Sequence, residues 1–163
     1  MLTFNFKKFE INENGYMLDV GCGEGRHIFG AMQQYPMMKC LGIDMDENSL
    51  KIAEEGYAYF ESISEVGANF MKGSAYELPF KDNSIDLIVC SEVLEHLHNY
   101  NDAIKEMKRV LKPGGKLFAS VPASWPEKIC WHLSKDYQNQ PGGHLRIFNQ
   151  KNLVKEIECL GFK

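Results

Sequence analysis

Residues 17–25, MLDVGCGEG, constrain this chain more than any other stretch. Met17, Leu18 and Val20 give the apolar run of a buried parallel strand, and Gly21, Gly23 and Gly25 follow at every second position. Bare positions directly after a buried strand mean that the chain turns tightly there and that something approaches its backbone closely.

The remainder alternates between strand and helix patterns. A short helix is expected over 25–34, a second strand, KCLGIDM, ending near Asp44, and a helix over 47–60 with Asp46 as N-cap and Leu50, Ile52, Ala53 and Tyr57 on its buried side. NFMKG at 69–73 reads as a third strand, and IDLIVC at 85–90 as a fourth, placed centrally because it is the most apolar. SEVLEHL follows as a helical stretch, and DAIKEMKRVLK as a helix with Ala103, Ile104, Met107, Val110 and Leu111 at helical spacing. LKPGG reads as a turn into a fifth strand, KLFASVP, and NQKNLVKEIECLGF as a last helix. The alternation predicts one α/β domain over 1–163, a three-layer α/β/α Rossmann-like fold with a mostly parallel central sheet.

Composition narrows the function classes. With 44% hydrophobic residues the 163-residue chain can bury one sizeable core, and its formal charge of -4 argues against a general binder of nucleic acid or anionic membranes. Lys105, Lys108, Arg109 and Lys112 share a helical face, which reads as a solvated stripe. No apolar stretch approaches the roughly 18 residues that span a bilayer, and MLTFNFKKFE lacks a signal-peptide core, so a cytoplasmic protein is expected. Cys22, Cys40, Cys90, Cys130 and Cys159 are scattered without a CxxC pair and read as reduced packing thiols.

Parallel α/β sheets bind ligands outside the carboxyl ends of their strands, where the strand order reverses. The glycine loop, Asp44, Ser74 and Ser91 all follow strands and are expected to line one crevice. A nicotinamide dinucleotide would ask for GxGxxG, whose third glycine is Arg26 here, and Asp19 beside the loop favours a cationic group over a pyrophosphate. Asp44, 25 residues beyond Asp19, is well spaced to accept hydrogen bonds from a ribose diol.

In this order LDVGCGEG, GIDMD, ELPFKDNSIDLIVCSEVLEHL and VLKPGGKL resemble the class I S-adenosylmethionine-dependent methyltransferases, particularly the small-molecule branch with the ubiquinone and menaquinone biosynthesis enzymes. The resemblance covers most of residues 16–122. It implies S-adenosylmethionine as cofactor, with Gly21, Gly23 and Gly25 facing its methionine half, Asp19 near its ammonium, Asp44 on the ribose hydroxyls and Met45 packed on the adenine. Where the family often has Asp-Ala this chain has Ser74-Ala75, which implies a weaker adenine contact or one made by backbone. The family fold continues with two more strands after a helix ending in LGF, so a truncated chain lacking those strands, a monomer or weak homodimer with an exposed fifth strand, is expected.

Methyl transfer from a sulfonium needs alignment and exclusion of water rather than a nucleophilic side chain. A general base helps with a hydroxyl or amine acceptor, and His96 and His144 are the candidates, whereas His27, His98 and His132 read as surface or packing residues. Glu92, Glu95 and His96 form an ExxEH pattern expected on one helical face, which with His144 offers ligands for a divalent cation. That pattern looks like the metal site of the ribose-methylating small-RNA methyltransferases and of some ubiquinone O-methyltransferases, although no basic groove or stacking cluster for RNA is evident. Residues 123–149, with Trp125, Trp131, Tyr137, Phe148, Pro126, Pro141, Gly142 and Gly143, read as a substrate-facing lid or as aromatics packed on the sheet. The leading expectation is methyl transfer to O, N or C of a small molecule. The competitors are a cofactor-binding module without turnover, a metal-dependent RNA ribose methyltransferase and, disfavoured by Arg26, a dinucleotide oxidoreductase.

Overall fold

The computed structural model describes residues 3–4, 6, 10–61, 66–122 and 144–162. Its elements are β1 (Tyr16–Val20), α1 (Arg26–Gln34), β2 (Lys39–Asp44), α2 (Glu47–Tyr57), β3 (Ala68–Lys72), β4 (Ile85–Ser91), α3 (Tyr100–Val110), β5 (Leu111–Ser120) and α4 (Gln150–Cys159). Among the described residues the sheet has the order β3-β2-β1-β4-β5 with every pair parallel, as the expected α/β fold requires. β1 lies in the middle, and the order reverses there: β2 pairs on one side and β4 on the other.

Period-two alternation splits the strands between two cores. Leu18, Val20, Ile88 and Cys90 face α3 and α4, meeting Ile104, Met107 and Leu153. Met17, Cys40, Leu87 and Val89 face the other way onto Ile28 and Met32 of α1, Leu50 of α2, and the wholly buried Phe6. Asp46 caps α2 as expected, its carboxylate accepting from the Asn48 and Ser49 N–H groups, and Asn149 caps α4 in the same way.

Several boundaries differ from the sequence reading. α2 stops at Tyr57, and Ile52 is 47% exposed rather than buried, because the face turned to the sheet carries Leu50 and Ala53, with Tyr57 half-buried against Phe70 of β3. β4 is interior but second to β1, which has the central place. The LKPGG stretch lies inside β5 rather than before it: Leu111 already pairs with Ile85, and a register shift before the Leu87–Lys116 pair absorbs Pro113 and Gly114, the latter at φ 81°. SEVLEHL is not a helix. Ser91 ends β4, Glu92 turns the chain at φ 57°, and only Leu94–His96 winds, as a single 3-10 turn. Of the expected lid, residues 123–143 lie outside the described residues, including Trp125, Trp131 and Tyr137. Phe148 is buried and meets Tyr100 edge-on at 5.0 Å, which is the packing alternative. No helix of the described residues is long and apolar enough to cross a membrane.

Candidate functional site

The site is built at the carboxyl ends of β1, β2 and β4. The loop after β1 is lashed to β2 by the Gly21 and Cys22 N–H groups, both donating to the Ile43 carbonyl at 2.8 and 3.1 Å. Gly21 has φ 72°, and a Cβ there would sit 2.3 Å from Val93 Cγ2, so the bare position lets the segment after β4 close onto the loop. Gly23, at φ 50°, faces open space and donates its N–H to Asp44 Oδ2 at 2.8 Å. Asp46 N–H donates to the other Asp44 oxygen at 2.9 Å. Two backbone donors thus fix the Asp44 carboxylate at the end of β2 and leave each oxygen a lone pair for a ligand.

A crevice of about 350 Å³ opens beside this carboxylate. Of the residues the sequence nominated, Gly21, Asp44, Met45, Ser74, Ala75, Glu92 and His96 line it. Met45 is 67% exposed at its edge, an apolar surface beside the Asp44 carboxylate. Tyr76, Val93 and Leu97 also form its walls and were not nominated; their signal was only that they follow the ends of β3 and β4.

The other nominated residues stand elsewhere. Asp19 is wholly buried beneath the glycine loop rather than on the crevice wall, with His27 Nδ1 3.7 Å from its Oδ2. Neither Asp19 oxygen has a hydrogen-bond partner among the described residues. Burial raises its pKa above the ordinary carboxylate value, opposed by the adjacent His27 and by Arg26. His27 is therefore buried against a carboxylate, a partner that its place in the sequence does not signal. Ser91 is buried between Ser120 Oγ at 2.9 Å and Thr3 Oγ1 at 3.2 Å instead of lining the crevice, because its side chain ends β4 facing β5 and the amino-terminal segment. Gly25 is buried at the start of α1, where a Cβ would crowd Phe29 and Phe70.

The ExxEH expectation is corrected in part. Since the segment is not helical, Glu92 turns away, accepting from Ser120 Oγ at 3.0 Å, while Glu95, His96 and His144 come together with ligating atoms within 4.8 Å of one another. Glu95 is wholly buried and the imidazoles of His96 and His144 lie 4.8 Å apart at 68°. Leu145 N–H donates to the Glu95 carbonyl at 2.9 Å and so ties the returning chain to the 3-10 turn. A carboxylate and two imidazoles, one of them on the crevice wall, can relay a proton or hold a cation.

Elsewhere the basic stripe is confined to Lys105, Lys108 and Arg109 of α3, because the helix ends at Val110 and Lys112 lies on β5. Lys105 pairs with Asp102, Arg109 with Glu106 and Asp82, and Lys112 with Asp86, while Lys108 reaches the Gly161 carbonyl. Cys22, Cys40 and Cys90 are free and buried, with burial pushing the Cys40 thiol up to about 12 and the other two higher still. Cys159 is free and exposed, and Cys130 and His132 lie outside the described residues.

Comparison with known proteins places these features in a family. The profile described as a methyltransferase domain matches residues 18–119, from β1 into β5. The demethylmenaquinone methyltransferase of Staphylococcus aureus is 37% identical over 110 residues, 67% of this chain and 44% of that protein. An uncharacterized methyltransferase of Schizosaccharomyces pombe is 36% identical over 108 residues, 64% of this chain and 39% of its own length. The chain thus spans less than half the length of the curated relatives it matches. A SAM-dependent methyltransferase from Methanosarcina mazei has the same fold, with a TM-score of 0.80, 21% identity, and coverage of 100% of this chain and 86% of that one.

Proposed function

This chain belongs to the methyltransferase-domain family, and from that premise we propose that it moves a methyl group from S-adenosylmethionine to O, N or C of a small-molecule acceptor in the cytoplasm. The observation that carries the reading is the Asp44 carboxylate, held by two backbone N–H groups at the mouth of a crevice that also exposes the bare backbone of Gly21. The residues fit the cofactor at both ends. Asp19 is a carboxylate buried beneath the glycine loop, without a hydrogen-bond partner among the described residues and suited to the ammonium, and Asp44 presents two fixed oxygens to the ribose diol. Gly21 and Gly23 leave main chain bare for the amino-acid half while Gly25, packed on Phe29 and Phe70, sets the start of α1, Met45 offers an apolar face to the adenine, and Ser74-Ala75 meets its edge. Bound there, S-adenosylmethionine supplies a methyl group already activated by its sulfonium.

The chain then has to orient the acceptor, exclude water and accept a proton where the acceptor is a hydroxyl or amine. His96 lies on the crevice wall and is the group to take that proton, with His144 and Glu95 behind it. The identity with demethylmenaquinone methyltransferase supports a small-molecule acceptor over RNA. A second reading rests on the Glu95, His96 and His144 cluster: these three would hold a divalent cation that orients and acidifies the acceptor hydroxyl.

Calorimetric titration with S-adenosylmethionine, with its demethylated product S-adenosylhomocysteine, and with NADH as control tests the reading. Micromolar binding of the first two is expected, weakened about 100-fold or more in Asp44→Ala because two hydrogen bonds to a charged acceptor contribute about 1.5–3 kcal/mol each. Binding of NADH instead would refute it. Methyl transfer to a panel of phenols, amines and activated carbons, with and without chelator, separates the metal reading and a binding module without turnover from the main proposal.

A further inference from the structure

We infer that His27 is a positioning residue that keeps the buried Asp19 carboxylate charged and aimed under the glycine loop, ready for the ammonium of the ligand. The inference rests on the reading that this crevice seats S-adenosylmethionine.

A carboxylate removed from water and given no hydrogen bond tends to protonate, and a neutral carboxyl would recognise an ammonium poorly. Asp19 is 0% exposed with no hydrogen-bond partner among the described residues, so a neighbouring charge or donor has to oppose its protonation. From α1 it is faced by His27 and Arg26, from β2 by Asp44 and Cys40, from the loop by Cys22 and from β4 by Cys90. The three thiols are held neutral by burial, and Asp44 repels. Arg26 is exposed and directs its Nη2 to Thr3 Oγ1. His27 remains, with Nδ1 3.7 Å from Asp19 Oδ2. Its imidazole is buried too, beneath the Phe4 ring at 5.7 Å, so the pair is shielded from solvent and its interaction is little screened. As the second residue of α1, His27 is set by the same loop that presents Gly21 and Gly23, which couples the orientation of the pair to the ligand-facing backbone.

Two ligands separate this role from ordinary packing. S-adenosylhomocysteine carries the ammonium, and 5′-methylthioadenosine has the nucleoside but no amino-acid half. Their affinities are measured by calorimetry across pH 5 to about 8.5 for the full chain, for His27→Leu, and for His27→Asn, which retains a donor. Acidification protonates Asp19 and weakens S-adenosylhomocysteine. Removing a group that lowers the Asp19 pKa raises it, so the pH at which affinity is half lost moves up in His27→Leu. Near that midpoint the variant binds S-adenosylhomocysteine roughly 5- to 10-fold more weakly than the wild-type chain. 5′-Methylthioadenosine keeps the same affinity in all three proteins, which also reports an intact fold, and His27→Asn recovers part of the shift. An unchanged midpoint for S-adenosylhomocysteine in His27→Leu overturns the inference, as does a parallel loss of both ligands. If 5′-methylthioadenosine and S-adenosylhomocysteine both fail to bind the wild-type chain, the cofactor reading falls and takes this inference with it.

Discussion

Replacing Gly21 with alanine tests the packing that shapes the crevice, and its cost can be worked from two features. The position has φ 72°, where a Cβ clashes with the chain's own carbonyl, at about 1–2 kcal/mol. The added Cβ would also lie 2.3 Å from Val93 Cγ2 and 3.4 Å from Val93 Cβ and Cγ1. Val93 has little room to yield: its side chain is β-branched and its backbone is set by the left-handed turn at Glu92 on one side and the 3-10 turn on the other. Overpacking of this kind adds about 1–3 kcal/mol, giving about 2–5 kcal/mol for Gly21→Ala in all. Val93→Ala removes the colliding Cγ2 methyl, so in that background Gly21→Ala costs only the backbone part, about 1–2 kcal/mol. Urea unfolding of the four chains, extrapolated linearly, measures the cycle, and a coupling of about 1–3 kcal/mol is expected. A coupling within about 0.5 kcal/mol of zero would mean that Val93 does not rest on the glycine loop. Because both residues wall the crevice, S-adenosylhomocysteine affinity should fall in Gly21→Ala and recover in the double variant.

Arg109 donates to both Glu106 oxygens at 2.8 and 2.7 Å, to Asp82 at 2.6 Å, and to the Phe80 and Leu78 carbonyls. Arg109→Ala should therefore destabilise by about 2–3 kcal/mol, discounted for its partial exposure and read by urea unfolding. The Arg109 guanidinium holds the Glu106 carboxyl below its ordinary value, so the contribution is present above about pH 4.3 and is lost as pH falls through the depressed folded value. The stability gap between wild type and Glu106→Gln should accordingly close on acidification. In a Cys130→Ser background, iodoacetamide should label Cys159 in the native protein and reach Cys22, Cys40 and Cys90 only on unfolding; rapid native labelling of a buried thiol would contradict the packing of β1, β2 and β4.

Most of what the sequence made legible was local or periodic. The apolar strands, the Asp46 cap, and the Ala103, Ile104, Met107 and Val110 face of α3 are each written in a few consecutive residues. The place of Asp44 on the crevice was legible for the same reason, since it ends a parallel strand and such sheets open their crevices there. SEVLEHL misled because its helical spacing is real, yet Ser91 is still pairing with Ser120 as the last residue of β4. The chain leaves the sheet directly after Ser91, and Glu92 turns it in a left-handed conformation that no spacing rule signals. His27 was missed because its partner lies eight residues earlier, across a loop whose geometry decides whether the two meet. The contacts of Thr3, Phe4 and Phe6 with Ser91, His27 and Phe118 join the start of the chain to its middle, and are invisible to any local window.

The central place of β1 also sets a timetable for biosynthesis. Met17 finds one neighbour in Cys40, only 23 residues on, but its other in Leu87, 70 residues later. At translation rates of about 5–20 residues per second, that second edge stays unpaired for roughly 4–14 s after β1 leaves the ribosome. Through that interval the backbone groups of a strand carrying Met17, Leu18 and Val20 are open to any other nascent strand. Holdase chaperones that bind short apolar segments should therefore cross-link to residues 16–20 on stalled chains that end before β4, and release once the chain has passed residue 91 and cleared the exit tunnel.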